Sequence, residues 1–465
     1  MKKALRSVIS LCMASLLTFS LAACGSSQPG GSDTPSNGGN PTASPTESPT
    51  ESASPSAKEV KTLRLTMAAS WYNKGWQAIE SDIEAKADQL GFKLDIDRVG
   101  DGDQGKQVLQ ARFATGDNPD LLGYNSLLAI NNDFNVADKL MDMTGAAYAE
   151  NYDADILASN FSIDGKLLGV PLGGSNIPAI FYNKKVFEDL GVSIPTNWTE
   201  FLAILDKAKA AGITPYFIAG KDTWTVQIFN IAGFQRDLKG KDVNEEIGKL
   251  YANTASILDY KLFADSFAKH KELLEKGYVQ DTWLSDTYDL QQKAITEGTA
   301  AMTCNATWMM EEIQKKYPDQ VDGIGAFSPV FDGDDPIGAW MPNAITGFST
   351  SKNPEEVKAF LEYFGSLETQ SLYFKEVPAM SIVKNIKVDG ISPASQQILD
   401  EFQNSGRGQL LWQSAAPMGV EQVGTGDLPS FTMEALLSEK TPDEVLQGIR
   451  DYMEKDAKSK GLSGW

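Results

Sequence analysis

The stretch from Lys61 to Val99 narrows the available folds more than any other part of the chain. In KTLRLTMAA the apolar residues Leu63, Leu65 and Met67 alternate with polar ones, which is the period of a strand. GWQAIESDIEAKADQLG then spaces Trp76, Ile79, Ile83, Ala87 and Leu90 three or four apart and ends at Gly91, the pattern of an amphipathic helix with a glycine cap. FKLDIDRV alternates again through Phe92, Leu94 and Ile96. Strand, helix and strand in so short a span predict a parallel crossover, which belongs to layered α/β folds.

The same grammar continues along the chain. KQVLQARFATG reads as helix and DLLGYN as strand, and AIFYN is a strand followed by the helix KKVFEDLG. In PTNWTEFLAILDKAKAAGITPYFIAG, Asn197 with Glu200 predicts a capping-box start, Gly212 a stop, and TPYFI a strand. TAAMTCN is a further strand, SKNPEEVKAFLEYFG opens a helix with Asn353 as cap and Pro354 in the first turn, and EKTPDEVLQGIRDYMEK repeats that start at Thr441 and Pro442. Residues 59–465 are more than one core usually organises, so the expectation is two α/β lobes with helices on both faces of each sheet.

Ahead of this body, Lys2, Lys3 and Arg6 precede a mostly apolar run from Val8 to Ala23, the order of an export signal. The run is short for a bilayer span, which takes about 20 apolar residues. It ends Leu21, Ala22, Ala23, Cys24, which resembles the lipobox of bacterial lipoproteins. That resemblance implies cleavage after residue 23 and acylation of Cys24. Residues 25–58 contain no Leu, Ile, Val, Met or aromatic residue, so they read as a tether with an end-to-end distance of about 30 Å. The expected location is the outer face of the cytoplasmic membrane of a Gram-positive cell.

Charge and residue usage exclude several functions. With 62 acids against 41 bases the net charge is −21, and it becomes more negative once the three bases of the signal are lost. That argues against nucleic acid as a partner, because phosphate binding relies on clustered Lys and Arg. Loss of Cys12 and acylation of Cys24 leave only Cys304, so no internal disulfide is expected. The one histidine, His270 in FAKHKELLEKG, reads as a solvated surface residue, and a single histidine argues against His-cluster metal sites and Ser-His-Asp catalysis. GVPLGGSN and GVEQVGTGDLP lack the spacing of nucleotide-binding loops. DGDQGK, with Asp101 and Asp103, and DGDDP, with Asp332 and Asp334, begin like calcium loops. The first then places Gly105, Lys106 and Arg112 where that pattern needs other residues, so both read as turns. No cofactor and no metal are expected.

What remains is a set of aromatic residues at the joins between elements. Trp71 and Tyr72 follow the first strand, Tyr124 the third, Trp224 follows TPYFIAGKD, Trp308 follows TAAMTCN, and Trp340 lies in IGAWMPNA. Ligands of open α/β sheets gather at the carboxyl ends of strands. A flat ring there can pack on the C–H face of a sugar while nearby amides and carboxylates bond its hydroxyls. Core filling accounts equally well for any one of these rings, and better for Trp76 and Trp198, which sit on apolar helix faces.

Four segments, ARFATGDNPDLLGYNS, DGKLLGVPLGGSNIPAIFYNKKVFEDLGVSIPTNWTEF, AITEGTAAMTCNATWMMEEI and ITGFSTSKNPEEVKAFLEYF, carry a resemblance that spans roughly residues 60 to 455. The chain resembles the extracellular solute-binding proteins of ATP-binding cassette (ABC) importers, in the sugar-binding family that includes the maltose-binding proteins. The resemblance implies a type II periplasmic-binding-protein fold, two α/β lobes joined by a hinge of three crossings near Gly173, Pro329 and Val377. Lobe 1 would hold residues 59–172 and 330–376, and lobe 2 residues 173–329 and 377–465.

Family ligand contacts carry over to Tyr124 and Asn125, Ser175 and Asn176 at the hinge, Asp222 and Trp224, Trp308, Trp340 and Asn343, and Trp412 in LLWQSAAPMG. Asp120 is expected to hold its own loop. Ser175 stands where the maltose-binding pattern has an acid, which argues against maltose itself. The implied partners are a carbohydrate, the permease subunits of the importer and the membrane through the lipid anchor, with the receptor a monomer and no catalysis. Two alternatives stay open. A receptor of the same fold could take a non-sugar solute such as a polyamine or a peptide, and a polyamine would need several acids in the cleft, where only Asp222 stands out. A surface glycosidase would need two carboxylates about 5 to 10 Å apart, and no such pair is evident.

Overall fold

Two mixed sheets carry the fold of the computed structural model, which describes residues 59–100, 102–415, 423–424 and 427–465. The expected signal, Cys24, the tether and Asp101 lie outside the described residues. In chain order the strands are Lys61–Ala68 (β1), Phe92–Val99 (β2), Leu121–Tyr124 (β3), Ser162–Ile163 (β4), Lys166–Leu167 (β5), Val170–Leu172 (β6), Pro178–Asn183 (β7), Thr214–Phe217 (β8), Ala300–Ala306 (β9), Ile324–Phe327 (β10), Ile337–Ala339 (β11), Asn343–Gly347 (β12) and Gly408–Leu410 (β13). The first sheet has the order β2-β1-β3-β12-β6 and the second β10-β7-β9-β8, while β11 pairs with β13.

The expected crossover is present: β1 pairs in parallel with β2 and with β3. The helix between β1 and β2, Lys74–Ala85, buries Trp76, Ile79 and Ile83, and Trp76 stacks on Phe364 at 5.2 Å. The chain then turns through Gly91 at φ +80°, a conformation that costs other residues a clash at Cβ. Each sheet has its own core. Leu63, Leu65, Phe92 and Phe360 belong to the first, and Phe201, Phe229, Phe234 and Phe263 to the second.

Helix starts follow the sequence with two adjustments. Thr441 and Glu444 form a full capping box. Asn197 accepts from the Glu200 amide at 3.0 Å, but the Glu200 carboxylate reaches back to the Thr196 amide at 2.8 Å, one residue earlier than the box predicts. Asn353 stands at its cap position without a side-chain cap bond, so Pro354 in the first turn marks that start.

Three crossings join the sheets, and the structure corrects two of their expected positions. The first runs from Leu172 to Pro178. The second was expected near Pro329, yet residues 331–339 pack with the second lobe. Phe331 lies 4.9 Å from Phe229, β11 pairs with β13, and buried Arg236 pairs with Asp332, Asp265 at 2.8 Å and Asp335 at 3.5 Å. A buried guanidinium needs anions, and the DGDDP turn supplies them, which draws that segment to the second lobe. The crossing itself lies between Ala339 and Asn343. The third was expected near Val377, but Val377, Ala379 and Val383 are buried in the first core and the Lys384 amide bonds the Asn151 carbonyl at 2.7 Å. The next helix, Pro393–Asn404, buries Ala394 and Ile398 on the second-lobe side, so the chain crosses between 384 and 393.

His270 is a further correction. It is 2% exposed rather than solvated, with Nδ1 3.0 Å from Asn230 Oδ1 and its ring 4.8 Å from that of Phe229.

Candidate ligand cleft

Strand direction decides which loops meet at the hinge. β12 is antiparallel to both β3 and β6, so β1, β3 and β6 all run the same way, and β6 leads directly into the first crossing. Trp71, Tyr72, Tyr124 and Asn125 follow or end β1 and β3, and Asn343 begins β12 opposite Leu172. All five therefore share the hinge end of the first sheet. In the second sheet Pro178 at the start of β7 faces Ala306 at the end of β9, and β8 is parallel to β9. Trp308 and Trp224 follow the ends of β9 and β8, so they share the hinge end of that sheet, and Trp340 sits on the second crossing.

The second-lobe aromatics form a continuous series. Ring centroids are separated by 5.0 Å from Tyr288 to Trp224, 6.1 Å from Trp224 to Trp308 and 5.1 Å from Trp308 to Trp340. Trp224 is 39% exposed, while Trp308 and Trp340 are half-buried. Trp308 Nε1 donates to Asn305 Oδ1 at 2.8 Å and Trp340 Nε1 to Gln413 Oε1 at 3.0 Å. With their donors engaged inside the protein, these two indoles have only their apolar ring faces left for further contact. Asp222 Oδ2 accepts from the Tyr288 amide at 2.7 Å and so ties the Trp224 loop to the helix Tyr288–Glu297.

The hinge residues are largely spent on holding the crossings together. Asn176 and Trp340 exchange backbone bonds of 3.3 and 2.8 Å, and Thr307 Oγ1 donates to Asn176 Oδ1 at 3.0 Å. The Ser175 amide donates to the Met380 carbonyl at 2.8 Å, while its buried hydroxyl has no partner among the described residues. A Cβ on Gly174 would lie 2.6 Å from that of Ala379, so glycine there permits the first crossing to touch the first-lobe segment that leads into the third. Beside them Glu311, in the first turn of the helix Trp308–Lys316, lines a small cavity with Ile177, Thr307, Ala379 and Met380. Burial pushes its carboxyl up to about 8.

The first-lobe residues are also anchored from behind. The Tyr124 hydroxyl donates to Asp133 Oδ2 at 3.0 Å, and the Tyr72 hydroxyl bonds Glu80 while the Arg98 guanidinium lies 4.9 Å from its ring centre. Trp71 is half-buried against the first core, and the Asn125 carbonyl accepts from the Ala344 amide at 3.2 Å, leaving its side chain exposed. Asp120 accepts from the Arg64 amide at 2.8 Å and from the Ser351 hydroxyl, holding its loop.

Trp412 does not join this group. It is 3% exposed, its indole donates to the Ile231 carbonyl at 3.1 Å, and its ring lies 4.7 Å from that of Phe234. The segment around it turns beneath Trp340, so that the next residue, Gln413, reaches the cleft side while Trp412 fills the second core. Sequence reasoning also missed Tyr288, Gln291, Asn305 and Gln413. Gln291 lies in the polar run YDLQQKAITEG, which by itself reads as a solvated helix face. No group of His, Cys, Asp and Glu among the described residues could hold a metal ion.

The sequence profile of the family described as "Bacterial extracellular solute-binding protein" matches residues 72–371. A "Multiple sugar-binding protein" of Streptococcus mutans is 25% identical over 292 residues, covering 62% of this chain and 68% of that protein. Among solved structures, the solute-binding protein RafE in complex with raffinose superposes with a TM-score of 0.69 at 23% identity, over 85% of this chain and 99% of that one. A sugar transporter of Bacillus licheniformis in complex with stachyose gives 0.63 at 18% identity, over 84% and 99%. The fold is thus the two-lobed type II arrangement of α/β lobes, and the chain belongs to the bacterial extracellular solute-binding protein family.

Proposed function

We propose that this chain is the receptor of an ABC importer that takes a carbohydrate, an oligosaccharide, into the cleft between its lobes and hands it unchanged to the permease. The observation that carries this reading is the series Trp224, Trp308 and Trp340, whose ring centres are 6.1 and 5.1 Å apart. Successive rings at that spacing suit successive sugar units, each laying its C–H face on an indole. Trp71, Tyr72, Tyr124, Asn125 and Asn343 would meet the ligand from the first lobe, with Ser175 and Asn176 at the floor and Asp222 beside Trp224. The sugar-binding name of the S. mutans relative and the raffinose and stachyose held by the two structural neighbours support the ligand class. Closure is hinge motion about the three crossings, and specificity is a difference of affinities with no bond made or broken.

In the same reading residues 1–23 are removed, Cys24 is acylated, and residues 25–58 tether a monomeric receptor to the outer face of a Gram-positive membrane. Two or more acyl chains give stable anchoring. Replacing Cys24 by Ser should release the protein into the medium, and retention of that variant on cells would refute the anchor.

A thermal-shift series with raffinose, stachyose and chitin oligosaccharides tests the ligand class. A sugar at 100 times its dissociation constant should stabilise the protein by about 2.7 kcal/mol. If a peptide or a polyamine raises the melting temperature and no sugar does, the reading is wrong.

A further inference from the structure

A buried polar chain runs beneath Trp308 where apolar packing would suffice to build a core. Thr303, Asn305 and Gln291 are 0%, 0% and 1% exposed. From the cleft inward, Trp308 Nε1 donates to Asn305 Oδ1 at 2.8 Å, Asn305 Nδ2 to Gln291 Oε1 at 2.8 Å, Gln291 Nε2 to Thr303 Oγ1 at 2.6 Å, and Thr303 Oγ1 to the Phe217 carbonyl at 2.8 Å. Two backbone groups complete it: the Ala306 amide donates to Asn305 Oδ1 at 2.9 Å, and Gln291 Nε2 also reaches the Cys304 carbonyl at 3.2 Å. Buried amides are costly unless fully paired, and a fully paired network holds its members in one geometry. Of the side chains it links, the indole of Trp308 is the one that reaches the cleft.

Gln291 belongs to the helix Tyr288–Glu297, which also holds the neighbouring ring. At the start of that helix the Tyr288 amide donates to Asp222, and the Tyr288 ring stands edge-on 5.0 Å from Trp224. One helix therefore grips the Trp224 loop at its first turn and Trp308 through Gln291.

We propose that Gln291 is a positioning residue of the ligand wall, setting the tilt of Trp308 through Asn305 and holding it in register with Trp224. The inference rests on the reading of these rings as the ligand wall. The angle of 53° between the two indoles then decides which linkage geometries let consecutive sugar units lie on both, so Gln291 determines specificity without touching ligand.

The test uses two readouts on the full chain. Indoles this close couple electronically and give a paired circular-dichroism band, which needs no ligand. Gln291→Met should weaken that band while leaving helical content intact. Calorimetry with raffinose should show an affinity about tenfold lower, as expected for residues coupled in one network. In a Trp308→Ala background the same change should alter raffinose affinity less than about twofold, because the residue it acts through is gone. An unchanged band in Gln291→Met, or an equal affinity loss in both backgrounds, overturns the proposal. Should Gln291→Met fail to fold, Thr303→Val, close to isosteric, removes the shorter of the two bonds that Gln291 Nε2 donates and leaves the one to the Cys304 carbonyl, and an unchanged band there refutes the proposal. If raffinose does not bind the unaltered protein, the ligand assignment fails, and the dichroism still decides the positioning role.

Discussion

Acidification from pH 7.5 to 5 tests the burial of the single histidine. His270 lies on the helix Lys261–Glu275, with Nδ1 facing Asn230 Oδ1 at 3.0 Å, which puts the neutral ring's proton on Nδ1. Asn230 is itself held by Ser266 Oγ at 3.0 Å, and Phe229 covers the ring. Burial lowers the imidazolium affinity for its proton to about 3, from 6.5. Between those values the unfolded chain binds a proton that the folded chain refuses. The contribution of neutral His270 is thus fully present above pH 6.5 and lost as pH falls toward 3. One proton is worth about 1.4 kcal/mol per pH unit, so acidification from 6.5 to 5 should cost about 2 kcal/mol at this site. Many carboxylates also titrate, so the comparison is with His270→Gln, which carries no such proton. Denaturant unfolding at pH 7.5, 6.5, 5.5 and 5 should show the stability of the native sequence falling relative to the variant by that amount. The ring also gives one Hε1 resonance, which should not titrate between pH 8 and 5 in the folded protein. A midpoint near 6.5, or parallel pH profiles for the two proteins, would refute the argument.

Three further outcomes follow from the hinge and the second core. Glu311 is held up to about 8 by burial, with Lys315 opposing, Glu312 adding to it, and the Tyr373 and Tyr288 phenols in range. Its stabilising contribution is present below about 4.5 and lost as pH rises through about 8, so Glu311→Gln should gain roughly 1 to 3 kcal/mol on the native sequence between pH 5 and 9, a figure reduced because the residue is only half-buried. Identical unfolding curves at both pH values would contradict this. Gly174→Ala would press Cβ to 2.6 Å from Ala379 and should cost about 1 to 3 kcal/mol by overpacking, read as a lower melting temperature. Trp412→Ala should lose about 3 to 5 kcal/mol of stability and leave unchanged the affinity of the folded fraction for whichever sugar stabilises the unaltered protein in the thermal-shift series. Weakened binding without destabilisation would return Trp412 to the cleft.

Local periodicity made much of this fold legible. The alternation in KTLRLTMAA and FKLDIDRV and the stripe through Trp76, Ile79 and Ile83 became β1, β2 and the helix between them because one buried face imposes its period on the sequence. His270 was misread as a surface residue because the Lys and Glu residues around it obscure the helical stripe of Phe263, Phe267, His270 and Leu273, all of which are buried. Several of those charged neighbours have tertiary partners, as Lys271 has in the Ser438 carbonyl and Glu272 in the indole of Trp198.

By itself, then, the sequence determined the layered α/β class, the helix starts at Asn197 and Thr441, and the placement of aromatics after strand ends, since each depends on residues within a turn or a strand of one another. Tertiary structure alone decided the rest. Residues 331–339 joined the second lobe because buried Arg236 needed distant anions, and Trp412 filled the core while Gln413 reached Trp340. The tilt of Trp308 depends on Gln291 and Asn305, whose pairing bridges a helix and a strand. Charge pairing, core filling and buried hydrogen bonds act between residues far apart in the chain, and only the folded geometry chooses their partners.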